Sequence, residues 1–98
     1  MSEARQRIVM DDGSRLRLPR HVRLQFDQLR GRFAVLSPEK VFWPDDTALE
    51  ILQLVDGTRT VADIVDTLCT TYDAPREAIA SDTIEFLQDW CDQLLIRA

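Results

Sequence analysis

The sequence lacks any long apolar run. None of its hydrophobic stretches approaches the ~20 residues that a helix needs to span a bilayer. Residues 1–12 carry acids and contain no apolar segment of the kind found in a secretory signal. We therefore expect a protein of the cytoplasm that has no membrane partner.

Histidine and cysteine are also scarce. His21 is the single histidine, and the two cysteines, Cys69 and Cys91, have no neighbouring cysteine in a CxxC pattern. Metal sites are built from clusters of such residues, so one isolated histidine is weak evidence for a ligand. We expect two reduced thiols that pack as small hydrophobic side chains, with a disulfide or metal pair as the alternative.

No familiar catalytic motif is present. The sequence contains no nucleophile elbow, phosphate-binding loop, dinucleotide fingerprint or zinc-protease motif. A chain of 98 residues forms one domain and buries only roughly 60–65% of its unfolded surface, so it has little spare volume for a deep active site. These absences favour a binding protein over an enzyme.

Charge is distributed unevenly along the chain. The net charge is −5, yet residues 45–98 hold three basic and twelve acidic side chains, whereas residues 1–44 hold nine basic and five acidic ones. A nucleic-acid reader needs a basic surface to neutralise phosphates. The acidic second half of the chain therefore argues against a nucleic-acid partner.

Three short segments have the character of strands. Residues 22–27 alternate apolar and polar side chains, which predicts a strand with one buried face. Residues 32–36 form a second strand after a turn at Gly31, and residues 41–43 form a third that Pro44 closes. The predicted arrangement is an antiparallel meander. The apolar face of the first strand consists of Val22, Leu24 and Phe26.

Helical periodicity follows the third strand. We expect Asp45 or Asp46 to cap the first helix and Gly57 to end it in a left-handed conformation. Thr60 and Asp63 have the spacing of a capping box for the second helix. The apolar stripes of these helices are Ala48, Ile51, Leu52 and Val55, and then Val61, Ile64, Val65, Leu68, Cys69 and Tyr72.

The third helix is predicted from Pro75 to about Leu95 and has a wide apolar arc. Two interpretations of this width remain open: part of the arc lines a groove, or the helix is simply the most buried one. Its apolar positions fall in two adjoining groups, Ile79, Phe86 and Trp90, and Leu87, Cys91, Leu94 and Leu95.

The order of elements predicts an α+β, winged helix-turn-helix-like fold, in which a three-stranded antiparallel meander precedes three helices. Residues 18–98 form this domain, and residues 1–17 are expected to be a flexible N-terminal segment. A winged helix suggests DNA, but the third helix has five acids between Arg76 and Arg97. Those acids oppose contact with phosphates.

The third strand ends the meander and is therefore expected at a sheet edge, where a peptide can add as a further strand. In that interpretation Phe42, Phe86 and Trp90 supply apolar pockets for the peptide. The alternative is that Val41 and Trp43 face the core while Phe42 packs under a loop.

Several short segments occur in a particular order and spacing. They are Val22–Leu24, Arg30–Gly31, Leu36–Glu39, Thr47–Leu52, Asp56–Val61, Tyr72–Ala74 and Asp82 with Phe86 and Leu87. This ordered set, rather than any single motif, resembles the coenzyme pyrroloquinoline quinone synthesis protein D (PqqD) family, and the resemblance covers about residues 18–96. This sequence departs from the family pattern after the Pro38–Glu39 turn, where Lys40 and the Phe42–Trp43 pair replace aliphatic residues and glycine.

The resemblance implies a peptide chaperone that is not an enzyme and needs no cofactor. Such a protein binds the precursor peptide PqqA and presents it to the radical S-adenosylmethionine enzyme PqqE. The cysteine run of that enzyme is missing here. The peptide-binding residues implied by the resemblance are Lys40, Val41, Phe42, Trp43, Asp82, Phe86, Leu87 and Trp90.

Other functions remain as alternatives. The chain could be a recognition element of another modified-peptide pathway, and a winged-helix DNA-binding regulator is a further candidate. Either a monomer or a homodimer is compatible with an exposed edge strand, because such an edge can also pair between subunits.

Overall fold

The structure is a computed structural model and describes residues 11–98. Among these residues, no helix is both long and apolar enough to cross a membrane. The elements are β1 (Arg15–Arg17), β2 (Arg23–Asp27), β3 (Arg32–Leu36), β4 (Val41–Phe42), α1 (Asp46–Gln53), β5 (Asp56–Thr60), α2 (Val61–Thr71) and α3 (Arg76–Asp92).

The predicted meander is present as the antiparallel sheet β2-β3-β4. Leu24 lies opposite Val35, and Val35 lies opposite Phe42, so these three side chains form one row across the sheet. Because successive residues of a strand point to opposite faces, this row defines the inner face, which packs on the helices. The α+β fold with a meander ahead of three helices is confirmed.

The turn between β2 and β3 is built around the carboxylate of Asp27. Its oxygens accept hydrogen bonds from the backbone N–H groups of Leu29 and Arg30 and from the Arg30 guanidinium. The Arg30 backbone N–H is the largest of the influences that hold the pKa of Asp27 below its ordinary value. Gly31 closes the turn with a φ of 65°, as its position predicts.

A second, two-stranded sheet of β1 and β5 corrects the prediction for part of residues 1–17. Residues 15–17 were expected in a flexible segment, but they pair with β5, and Leu16 is fully buried. Arg17 also exchanges two backbone hydrogen bonds with Arg97. A three-residue strand shows no periodicity, and its partners lie far along the chain. The expectation for residues 1–10 lies outside the described residues.

Gly57 does not end α1 as predicted. The C-cap of α1 is Leu54, and Gly57 lies within β5, where its φ is 85°. A Cβ atom on Gly57 would lie 3.6 Å from the Cβ of Arg17 on the paired strand. The left-handed conformation was therefore predicted at the right residue but for the wrong structural role.

The helix starts agree with the sequence. The Asp45 carboxylate accepts a hydrogen bond from the Ala48 backbone N–H, and Thr60 and Asp63 form the capping box of α2. At its C-terminal end α3 stops earlier than predicted. Leu94, expected on the apolar face, has a φ of 65° and an exposed side chain, whereas Leu95 and Ile96 are buried after the turn.

The hydrophobic core joins all three helices to both sheets. Cys91 is buried and Cys69 half-buried, and no disulfide joins them. The core side chains with 0–2% exposure are Leu16, Val35, Leu52, Val61, Ile64, Val65, Leu87 and Ile96.

Candidate functional site

The candidate site lies along β4, the last strand in the order β2-β3-β4. Within residues 11–98, no strand pairs with the other side of β4. Its backbone on that side is therefore available for pairing with an added strand.

Three aromatic rings form a groove between this edge and α3. Trp90 lies 5.6 Å from Phe42 and 5.2 Å from Phe86 between ring centroids, and it stacks on Phe86 at an angle of 28°. Phe86 and Trp90 are four residues apart and so lie on the same side of α3. All three rings are half-buried against the core. We call Phe42, Phe86 and Trp90 the aromatic groove.

Charged side chains border the aromatic groove on two sides. The Lys40 ammonium nitrogen lies 5.9 Å from the centroid of the Phe42 ring, within the range of a cation–π contact. Asp82 is exposed one helical turn before Phe86. Both charges lie beside the apolar surface rather than within it.

The outer face of the sheet has a different surface. Trp43 points away from the aromatic groove, and its ring contacts the guanidinium carbons of Arg30 at 5.1 Å and Arg32 at 5.4 Å. It borders an open concavity of about 680 Å³, which we call the outer concavity. The apolar residues around the outer concavity are Phe26, Leu29, Ala34, Leu36, Val41 and Trp43.

The eight predicted site residues therefore divide into three locations. The aromatic groove and its borders unite Lys40, Phe42, Asp82, Phe86 and Trp90. Val41 and Trp43 lie on the outer face and are 52% and 38% exposed. Leu87 is fully buried and belongs to the core beneath the groove. The alternative in which Val41 and Trp43 face the core is thus wrong, since Phe42 is the one that packs inward.

Sequence reasoning missed a second depression, which lies among the three helices and has a volume of about 360 Å³. Phe86 lines this depression and also belongs to the aromatic groove, and Asp82 lies at the rim of the depression. Beside it, the Tyr72 hydroxyl donates a hydrogen bond to the Glu50 carboxylate, and this bond raises the pKa of Tyr72 above its ordinary value. One signal was available, because Thr83 lies four residues from both Ile79 and Leu87 on the buried side of α3.

The described part of the chain defines a class of protein: a winged-helix-like domain with an unpaired strand edge beside an aromatic groove. The family model described as coenzyme PQQ synthesis protein D (PqqD) matches residues 32–96. The chain belongs to this family.

Curated relatives support the assignment. A PqqA binding protein of Rhodopseudomonas palustris (strain HaA2) is 50% identical over 90 residues, which cover 92% of this chain and 88% of the relative.

Two solved structures share the fold. One is the solution NMR structure of the PqqD part of Methylobacterium extorquens PqqCD, described as a stand-alone recognition element for ribosomally synthesized, modified peptides. It is 37% identical with a TM-score of 0.75, and covers 92% of this chain and 96% of that one. The other is lasso peptide synthetase B1 complexed with its leader peptide. At 19% identity and a TM-score of 0.69, covering 87% of this chain and all of that one, it shows the shared fold alone.

Proposed function

We propose that this chain is a peptide chaperone that binds the precursor peptide PqqA and presents it to the radical S-adenosylmethionine enzyme PqqE. Two findings support PqqA as the ligand: the chain belongs to the PqqD family, and a relative that is 50% identical is named as a PqqA binding protein. The structural observation that carries the proposal is the edge of β4 beside the aromatic groove, which no other strand of residues 11–98 covers.

The peptide binds as a strand added to β4. Main-chain hydrogen bonds along the edge supply affinity that is independent of sequence, and alternate side chains supply selectivity. Side chains on one face of the added strand meet Phe42 and the rings of α3, and those on the other face lie beside Val41 and Trp43. The groove side offers far more contact, because three rings converge there.

The contribution to catalysis is positional. The chain holds PqqA near PqqE and so raises the local concentration of the reacting residues, while the enzyme supplies the chemistry. In this proposal the chain itself acts as a binding protein rather than as a catalyst.

Backbone amide NMR of the labelled protein during titration with synthetic PqqA tests the proposal. We expect shifts concentrated at residues 40–43 and on the groove side of α3, around Phe86 and Trp90. A scrambled PqqA of the same composition is the matched control and should cause much smaller shifts. Tight binding with shifts confined to other residues would support PqqA as the ligand but contradict the proposed binding site. An absence of saturable binding would contradict PqqA as the ligand.

A further inference from the structure

The depression among the three helices is here called the helix pocket. It has an apolar floor and an acidic rim. Its floor consists of buried side chains, namely Ile51, Leu68, Ile79 and Thr83. The half-buried side chains of Ala48, Tyr72 and Phe86 form the walls, and exposed Asp45, Thr47 and Asp82 form the rim. About 360 Å³ is near the lower end of the ~300–1,000 Å³ typical of ligand pockets. That size suits one large side chain better than a whole cofactor.

The floor contains an unsatisfied polar group. Thr83 is 2% exposed, and its hydroxyl has no hydrogen-bond partner among residues 11–98. The threonines of α2 behave differently, since the hydroxyls of Thr67 and Thr70 donate to the backbone carbonyls of Asp63 and Thr67. Buried hydroxyls in native structures are nearly always paired, so an exception calls for an explanation. A ligand atom that enters the pocket would supply the missing partner.

The charges around the opening restrict which side chain can enter. The carboxylates of Asp45 and Asp82 at the rim make the opening negative. Glu50, which accepts a hydrogen bond from the Tyr72 hydroxyl, adds a third carboxylate behind the wall. A carboxylate entering here would lose its hydration beside like charges. Basic side chains are favoured at the rim but not on the floor, where the lining is apolar apart from one neutral hydroxyl. The pocket therefore selects an uncharged side chain.

The helix pocket is continuous with the aromatic groove. Phe86 stacks on Trp90 in the groove and also forms a wall of the pocket. A peptide that lies along β4 and α3 can therefore place one side chain in the pocket without leaving the groove. This continuity makes the bound peptide the natural occupant.

We infer that the helix pocket anchors one large, uncharged side chain of the bound peptide, whose apolar body contacts Ile51 and Ile79 and whose polar end hydrogen-bonds the Thr83 hydroxyl. This inference rests on the proposed function, because it takes the peptide to be the one bound beside β4. It assigns recognition to a part of the molecule outside the strand edge.

The key test measures PqqA affinity and thermal unfolding in Thr83→Val and Thr83→Ser variants. Valine has nearly the same shape as threonine and removes the unsatisfied hydroxyl, so the Tm of the free protein should stay the same or rise. Affinity for synthetic PqqA should nevertheless fall roughly two- to tenfold, the value of one hydrogen bond. Serine keeps the hydroxyl and should retain most of the affinity.

A second pair of variants tests the space rather than the hydroxyl. Ala48→Leu fills the pocket from α1 and should reduce affinity about tenfold or more, because the anchor side chain is displaced. Ala78→Leu makes the same change at an exposed position on α3 that does not line the pocket, and it should bind PqqA like the wild type. This pair decides the question even if the Thr83→Val variant does not fold.

The outcomes separate the two proposals. Suppose that Thr83→Val and Ala48→Leu bind PqqA as tightly as the wild type while Phe42→Ala binds weakly. The helix pocket then does not anchor the peptide, and the aromatic groove remains the proposed binding site. If the wild-type protein shows no PqqA binding, the proposed function fails and the inference fails with it. An alanine scan of PqqA identifies the anchor side chain. When that side chain is replaced by alanine, the loss of binding free energy should not add to the loss caused by Thr83→Val, because both changes remove the same contact.

Discussion

The two faces of the three-stranded sheet place adjacent aromatic residues in opposite chemical surroundings. Phe42 faces inward and contacts Trp90, whereas Trp43 faces outward between two arginines. The groove pairs apolar rings with one another beside an acidic helix, and the outer face pairs a ring with positive charge. One step along β4 therefore separates two surfaces of different selectivity.

The difference between the faces also shows which surface is prepared for an apolar partner. Rings of the aromatic groove are half-buried and held by packing against the core. On the outer face, Leu29 is 96% exposed and the Trp43 ring is held by side chains that are themselves exposed. A preorganised surface loses less entropy on binding, so the groove should dominate the affinity for the peptide.

Of the substitutions considered for the two faces, removal of the Trp90 ring should cause the largest losses of stability and of PqqA affinity. Trp90→Ala deletes both ring contacts of the groove. In urea titrations, the free energy of unfolding should fall by roughly 2 kcal/mol. This is less than the ~3–5 kcal/mol expected for a fully buried ring, because Trp90 is half-buried. Affinity for PqqA should fall about tenfold or more. Trp90→Phe keeps a ring and serves as the control. Full affinity in folded Trp90→Ala would remove the ring from the site.

Neighbouring alanine variants compare the two faces directly. Phe42→Ala should weaken PqqA binding by about 1 kcal/mol, or roughly fivefold, because the ring belongs to the groove. Trp43→Ala should weaken it no more than about twofold, since only outward-facing side chains of an added strand lie beside it. Isothermal titration of both folded variants measures the difference. A larger loss for Trp43→Ala than for Phe42→Ala would place the main peptide contacts on the outer face.

The parts of the fold that could be predicted are those determined by nearby residues. The second predicted strand has the bounds of β3, and the caps at Asp45 and Thr60 are present, because each depends on side chains within a few residues. Strands β1 and β5 were missed because a short strand is defined by a partner some forty residues away. Phe26 shows a related limit. Alternation placed it in the row of Leu24, but the core does not extend to it. It is 47% exposed, contacts Phe33 and also borders the outer concavity.

The candidate site was predictable to a similar extent. Periodicity brought Phe86 and Trp90 together on α3, and the meander put β4 at an edge. Alternation also separates Phe42 from Trp43, but only the placement of α3 determines which of them is covered. Leu87 is fully buried, and periodicity could not give that depth, because the depth of an apolar arc depends on tertiary packing. Its role in peptide binding, which the resemblance implies, stays a prediction.

The smallest expected effect is a change at acid pH on the outer face of the sheet that does not occur in the aromatic groove. The folded pKa of Asp27 is lowered, chiefly by the Arg30 backbone N–H, so its stabilising contribution is present above its ordinary pKa of 3.8. That contribution is lost as the pH falls through the lower, folded value. Protonation also weakens the ion pair that holds Arg30 beside Trp43. The fluorescence of Trp43, measured in a Trp90→Phe variant, should therefore change below about pH 4.

The Trp90 signal supplies the comparison for this last effect. In a Trp43→Phe variant, fluorescence from Trp90 should stay constant until the whole domain unfolds, because the two rings that it contacts, Phe42 and Phe86, carry no titratable group. Asp27→Asn keeps an acceptor oxygen for the turn but has no charge to lose, so the Trp43 transition should disappear in that background. Identical transitions for both tryptophans would instead show that acid acts on the domain as a whole, and the turn at Asp27 would then have no separate influence on the outer face.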